Sequence, residues 1–178
     1  MIDKIVERFG HVDVLVNNAV RNFDSIAYED LTWEEMQLDL DVSLKGAFLC
    51  AKAVTPGMIA NGGGKIINVS SVYASDPPRD QLKYVVSKAA VEGLTRGLAS
   101  ELADRNIQVN AVVPSFVDTE VASRLHAGIR RKKAQAAAMS RNAKPEEVAQ
   151  AVVFLASAFS SYTTGQRLLV TGGGPPYL

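Results

Sequence analysis

The sequence predicts an α/β chain organised on a parallel sheet. Three observations carry this expectation. Short apolar runs of strand length recur along the chain. Long helical patterns separate them. Small polar residues follow the first three runs directly: Asn17-Asn18-Ala19, Ser70-Ser71 and Pro114-Ser115. Strands alternating with helices imply βαβ units and a parallel sheet. Ligands of such sheets sit beyond the carboxyl ends of the strands, so three polar strand ends in succession suggest one shared cleft.

The elements follow in order. Ile2, Ile5, Val6 and Phe9 recur at helical spacing, and Gly10 ends the pattern. VDVLV (12–16) reads as a short buried strand. Thr32 with Glu35 resembles a capping box. The helix it opens is expected to run to about Ala60, with a disturbance near Pro56. Asn61-Gly62-Gly63-Gly64 stops it, and KIINVS (65–70) is the next strand. A loop with Pro77-Pro78 leads into a helical pattern from about Gln81 to Asp104. IQVNAVV (107–113) is the third strand, cut by Pro114. Residues 120–143 are rich in Ala and Arg and read as helical without a clear core stripe. Pro145-Glu146-Glu147 opens a helix with proline in its first turn, running to about Ser157. RLLV (167–170) is the fourth strand, followed by Gly172-Gly173-Gly174-Pro175-Pro176. Trp33 is expected to pack near a helix start, and His11 and His126 to be surface residues.

Bulk properties narrow the function classes. A chain of 178 residues suits one domain. With 47% hydrophobic and 21% charged residues it is globular in composition. The formal net charge is zero, so nothing global steers it to nucleic acid or an anionic membrane. Cys50 is the single cysteine, which excludes an internal disulfide and a cysteine-rich metal site. No apolar run reaches membrane-span length, and the start MIDKIVERFG is unlike a signal peptide. The cytoplasm is the default location, and no metal site is expected.

The pair Tyr84 and Lys88 in YVVSK (84–88) is the candidate for chemistry. A spacing of four places both side chains on one helix face. A free tyrosine titrates near 10. A neighbouring ammonium stabilises the phenolate and is expected to lower that value toward working pH. Such a pair can exchange a proton with an alkoxide.

LVNNA (15–19), DVSLKGAF (41–48), IINVSS (66–71), YVVSK (84–88), VNAVVPSFVDT (109–119) and GQRLLVTGG (165–173) stand in family order and spacing. On these stretches the chain resembles the short-chain dehydrogenases/reductases, and most nearly the members like 3-oxoacyl-carrier-protein reductase. The resemblance implies a single domain over 1–178, the C-terminal part of a Rossmann-like doubly wound parallel sheet with about four strands. It implies hydride transfer between NAD or NADP and a small carbonyl or alcohol substrate. Tyr84 is then the general acid/base, and Lys88 also holds the nicotinamide ribose. Ser71, thirteen residues before Tyr84, bonds the substrate carbonyl, while Ser70 is structural. Asn17 and Ala19 lie beside the cofactor, and Pro114, Val117 and Thr119 match the stretch at its nicotinamide end. The resemblance also implies a homodimer or homotetramer. The run Arg130-Arg131-Lys132-Lys133 falls in the family's substrate loop and reads first as a solvated helix face.

The chain departs from the family pattern at several positions. Ser43 stands where the family has a catalytic asparagine, which serves a proton relay through its backbone at a helix bend. Val20 and Ser115 replace glycines, and Thr171 replaces an aspartate. The family's Gly-rich phosphate loop is not among these residues, because Gly62-Gly63-Gly64 precedes a strand instead of following one. By resemblance, about 70–80 residues and three strands would precede Met1. VDVLV is then expected at a sheet edge, with the helices of 32–60 and 81–104 on one face and those of 1–9 and 145–157 on the other. Low stability and no saturable NADH or NADPH binding by these 178 residues are expected. Three readings follow: an oxidoreductase, a non-catalytic remnant or oligomerisation module, and a chain whose true start lies upstream.

Overall fold

The computed structural model describes residues 1–21, 24–123 and 125–174. Four parallel strands form one sheet: β1 (Val14–Asn17), β2 (Gly64–Val69), β3 (Ile107–Pro114) and β4 (Arg167–Val170). Their order is the chain order, β1-β2-β3-β4. The helices are α1 (Ile2–Phe9), α2 (Trp33–Leu40), α3 (Gly46–Ala60), α4 (Leu82–Leu102), α5 (Glu120–Ser123), α6 (Ala127–Ala136) and α7 (Pro145–Ala156). The α/β expectation holds, and β1 lies at the edge as expected.

Alternation along the strands sends side chains to opposite faces. Ile66, Ile107 and Val109 meet Ala51, Val54 and Met58 of α3 and Ala99 and Leu102 of α4. Ile67 and Val112 meet Leu155, Val148, Ala151 and Val152 of α7. The placement of α1 corrects an expectation. Ile2 packs with Val12 and Leu15 against the α3 and α4 side, so α1 does not share a face with α7. Gly10, at φ 87°, turns the chain so that α1 folds back over that side. In consequence β1 is not a buried strand. Val14 and Val16 are 38% and 42% exposed.

Other expectations are corrected locally. Pro56 sits inside α3 and does not disturb it enough to end it. The irregularity falls earlier, in a π-helical turn over Asp41–Lys45, where the Gly46 N–H donates to the Asp41 carbonyl. Thr32 supplies only one arm of the capping box, accepting from the Glu35 amide at 3.3 Å. The Glu35 carboxylate is drawn instead to Arg21 at 2.9 Å and Lys83 at 3.3 Å, because two cations outcompete one backbone amide. Trp33, the first residue of α2, is largely exposed rather than packed into the core. The helical stretch expected over 120–143 divides into α5 and α6, with the His126 ring capping α6 by accepting from Gly128 N at 3.1 Å. Arg124, Pro175 and Pro176 lie outside the described residues.

One glycine fixes the α3–β2 junction. Gly63 sits at φ 141°, and a Cβ there would strike the Asn106 carbonyl. The turn after α3 therefore lies directly against the start of β3.

Candidate active site

The site begins where β2 ends. Ser70 and Ser71 follow Val69, and Ser71 caps a short 3-10 turn over Val72–Ala74, its hydroxyl accepting from Tyr73 N at 3.2 Å. Helix α4 supplies the opposing wall. Tyr84, Ser87, Lys88, Val91, Glu92 and Thr95 repeat every three or four residues and are buried, so they share one helix face. The Ser71 hydroxyl hydrogen-bonds the Tyr84 phenol. Lys88 Nζ donates to the Val69 carbonyl at 2.8 Å and lies 5.7 Å from the centre of the Tyr84 ring. The structure thus brings Ser71, Tyr84 and Lys88 together.

Their electrostatics differ from the sequence expectation. Burial pushes the Tyr84 phenol up to about 12, against the lowering effect of its bond to Ser71. Burial also pulls the Lys88 ammonium down to about 8. Desolvation penalises both charged forms, and it outweighs the stabilisation of phenolate that the spacing suggested. At neutral pH the pair is a neutral phenol beside an ammonium.

Asn17 closes the β1 end. Its amide donates to Asn68 Oδ1 at 2.8 Å, Asn68 donates to Thr95 Oγ1 at 2.9 Å, and Thr95 donates to the Val91 carbonyl at 2.8 Å. This buried chain ties the β1 end through β2 to α4. Ser43 is buried in the π-turn, which packs on α4. Pro114 is the last residue of β3, opposite Val170. Val117 bridges to Ala143. Ala19 and Thr119 are exposed, and the Thr119 hydroxyl caps α5 by accepting from Ala122 N at 3.2 Å. Those two are not bonded into the Ser71–Tyr84–Lys88 group.

Sequence reading missed several residues. Ser70 Oγ donates to Glu92 at 2.8 Å, and Arg167 pairs with the same carboxylate at 3.0 Å. Glu92 lies four residues after Lys88 on the same face, so periodicity could have found it; nothing in the sequence pointed to Arg167. Tyr73 stands edge-on to Tyr84, with ring centres 6.1 Å apart and an interplanar angle of 86°. A buried cluster of Asp39 and Lys83, joined to Arg21 and Glu35, adjoins the first turn of α4. Burial raises the Asp39 carboxyl.

Among the described residues no group of three His, Cys, Asp or Glu is placed to hold a metal ion. No helix there is long and apolar enough to cross a membrane. A cleft of about 560 Å³ opens around Asn106, Gln108, Thr163 and Gln166, and holds none of the candidate residues.

Comparison with known proteins agrees with the α/β fold. Residues 1–174 match a family model described as enoyl-(acyl carrier protein) reductase. The 3-oxoacyl-(acyl-carrier-protein) reductase FabG of Thermotoga maritima is 42% identical over 173 residues, covering 97% of this chain and 70% of that protein. The FabG of Staphylococcus epidermidis is 38% identical over 175 residues, with the same coverage of 97% and 70%. Among solved structures, a 7 alpha-hydroxysteroid dehydrogenase complexed with NADH and 7-oxo glycochenodeoxycholic acid superposes with TM-score 0.92 at 32% identity, covering 97% of this chain and 68% of that one. A gluconate 5-dehydrogenase of Burkholderia cenocepacia, in complex with NADP and tartrate, gives 0.91 at 34% identity with the same coverage.

Proposed function

The chain belongs to the short-chain dehydrogenase/reductase family of NAD(P)-dependent oxidoreductases, and from that premise we propose that it reduces a ketone to a secondary alcohol with Tyr84 as proton donor. The convergence of Ser71, Tyr84 and Lys88 at the β2–α4 junction carries this reading.

The residues fit the nicotinamide-ribose part of a dinucleotide. An ammonium has three N–H donors, and Lys88 uses one on Val69. The other two suit vicinal hydroxyls. Asn17, Ala19, Pro114, Val117 and Thr119 lie at or just past the strand ends and are assigned to the same group. When bound, the cofactor supplies hydride to the carbonyl carbon.

The chain's own residues manage the proton and the charge. The Ser71 hydroxyl orients the carbonyl oxygen beside the phenol it already bonds. Tyr84, neutral up to about pH 12, gives its proton to the alkoxide that develops. Lys88 lies on the phenol's own face of α4 and offsets the phenolate left behind. That help is lost as pH rises through about 8. A phenol held neutral is a proton donor, which favours the reductive direction. The Ser43 turn supports α4, and the backbone there is assigned the relay role.

Self-association is part of the same reading. Phe48 and Leu49 of α3 are 43% and 53% exposed, and Leu38 of α2 is exposed as well. Side chains of this size at the surface suit a homodimer or homotetramer, which sedimentation velocity would measure.

The test uses cofactor deuterated at its transferable position with a panel of ketones, in a form of the protein that direct titration has shown to bind NADH or NADPH. Deuterium at the carbinol carbon, absent with Tyr84→Phe, is the expected result. Full turnover by Tyr84→Phe would overturn the assignment.

A further inference from the structure

On the α6 side of the site, one cation has no carboxylate partner among the described residues. Helix α6 holds Arg130, Arg131, Lys132 and Lys133 and no acidic residue. Only Arg130 is ion-paired among the described residues, with Asp118 at 3.2 Å. That pair is reinforced by Asn142, which donates to the same Asp118 oxygen at 3.1 Å and toward the Arg130 carbonyl at 3.5 Å. The three residues pin α6 to the loop after β3. Three residues along from Arg130, on the same face, Lys133 is half-buried, and its Nζ lies 5.1 Å from the centre of the Tyr73 ring. Tyr73 in turn stands edge-on to Tyr84. Lys133 is therefore one aromatic ring away from the proposed proton donor, and among the described residues its charge meets only a π-face.

A cation over an aromatic ring gains modestly, and far less than one bonded to an anion. A half-buried ammonium in that state keeps donors available. We infer that Lys133 and Tyr73 form a specificity subsite for the anionic group of the substrate, so that the ketone accepted at Tyr84 bears a carboxylate or a phosphate. This rests on the reductase reading of the same site. Tyr73 supplies a flat wall between the carbonyl position and the anion position. Its exclusion of water strengthens the charge contact. Lys133 is a point-charge donor and does not demand one planar anion, which is why carboxylate and phosphate are both admitted.

The experiment measures binding directly, so it does not depend on turnover. Saturation-transfer NMR of the whole chain is run with two matched pairs: acetoacetate against ethyl acetoacetate, and dihydroxyacetone phosphate against dihydroxyacetone. At low salt one anion or both should bind about tenfold more tightly than the neutral partner, and the larger preference names the anion. Lys133→Met should bring the pair to parity, and Lys133→Glu should reverse it. Arg131→Met, on the same helix, should leave the preference in place, which separates a subsite from the general field of α6. Anion and neutral ligand binding alike in the wild-type chain would overturn the inference, as would a preference that survives Lys133→Met. The reductase reading fails by a different sign, the absence of deuterium transfer, while the anion preference persists.

Discussion

The two walls of the site are held in contrasting ways. On the α4 side, Asn68, Thr95, Ser70 and Glu92 are all buried and bonded to one another or to backbone. On the α6 side, the hold comes from Asp118, Arg130 and Asn142, with the Asp118–Arg130 side chains 39% and 38% exposed. Buried polar bonds are costly to break because the groups left behind lose water as well as partner. Exposed pairs contribute little, about 0–1 kcal/mol. The contrast teaches a division of labour. The wall assigned to the reacting groups is held by buried bonds, and the wall assigned to the variable part of a substrate is lightly fastened.

Four measurements would break or sharpen that contrast. The largest effect belongs to Tyr84→Phe, which should lower turnover about 10²–10⁴-fold while leaving urea unfolding nearly unchanged. A large loss of stability instead would make Tyr84 a packing residue. The second concerns Lys88. Its folded value, about 8, lies below its ordinary value of 10.5. Between those values only the unfolded chain holds the proton, so folding stability rises with pH across that window. Relative to Lys88→Met, the wild type should gain on the order of 3 kcal/mol from pH 8 to 10.5, read by denaturation at several pH values. A flat difference would show that the ammonium is solvated. Third, Asn68→Ala should cost about 2–3 kcal/mol, since Asn17 and Thr95 both lose a partner. Fourth and smallest, Asp118→Ala should cost under about 1 kcal/mol yet raise KM more than it lowers kcat. Equal costs for Asn68→Ala and Asp118→Ala would erase the distinction between the walls.

Much of the α4 side was legible in the sequence, and much of the α6 side was not. Tyr84, Lys88 and Ser71 stand at fixed spacings on or beside regular elements, where period and strand ends translate directly into position. The parallel sheet followed from the same alternation, and β1 was expected at its edge. The resemblance implied a helix bend at Ser43, but no residue pattern pointed to the π-turn at Asp41–Lys45, because Pro56 is the visible breaker and an extra residue in a helical turn has no composition of its own. The side taken by α1 was missed because an amphipathic stripe says that a helix packs, not on which face. Tyr73 was passed over and Lys133 was read only within a solvated basic run, since their contact joins a 3-10 turn to a helix some sixty residues later. The raised Tyr84 value was hidden for a similar reason: spacing reveals the neighbouring ammonium, whereas burial is a property of the whole fold.

The order of the strands has a consequence for how the molecule assembles. Each strand pairs with the next one in sequence, so every pairing closes a loop of one helical crossover and none must wait for the distant end of the chain. Closure entropy grows slowly with loop length, which makes the three pairings comparable in that cost. What distinguishes them is burial, and β2 with β3 holds most of the fully buried strand side chains. Assembly is expected to start there, with α4 docked between them, and to spread to β1 and β4. The first structure to form is then the Ser71–Tyr84–Lys88 wall itself, with the lightly fastened α6 added last.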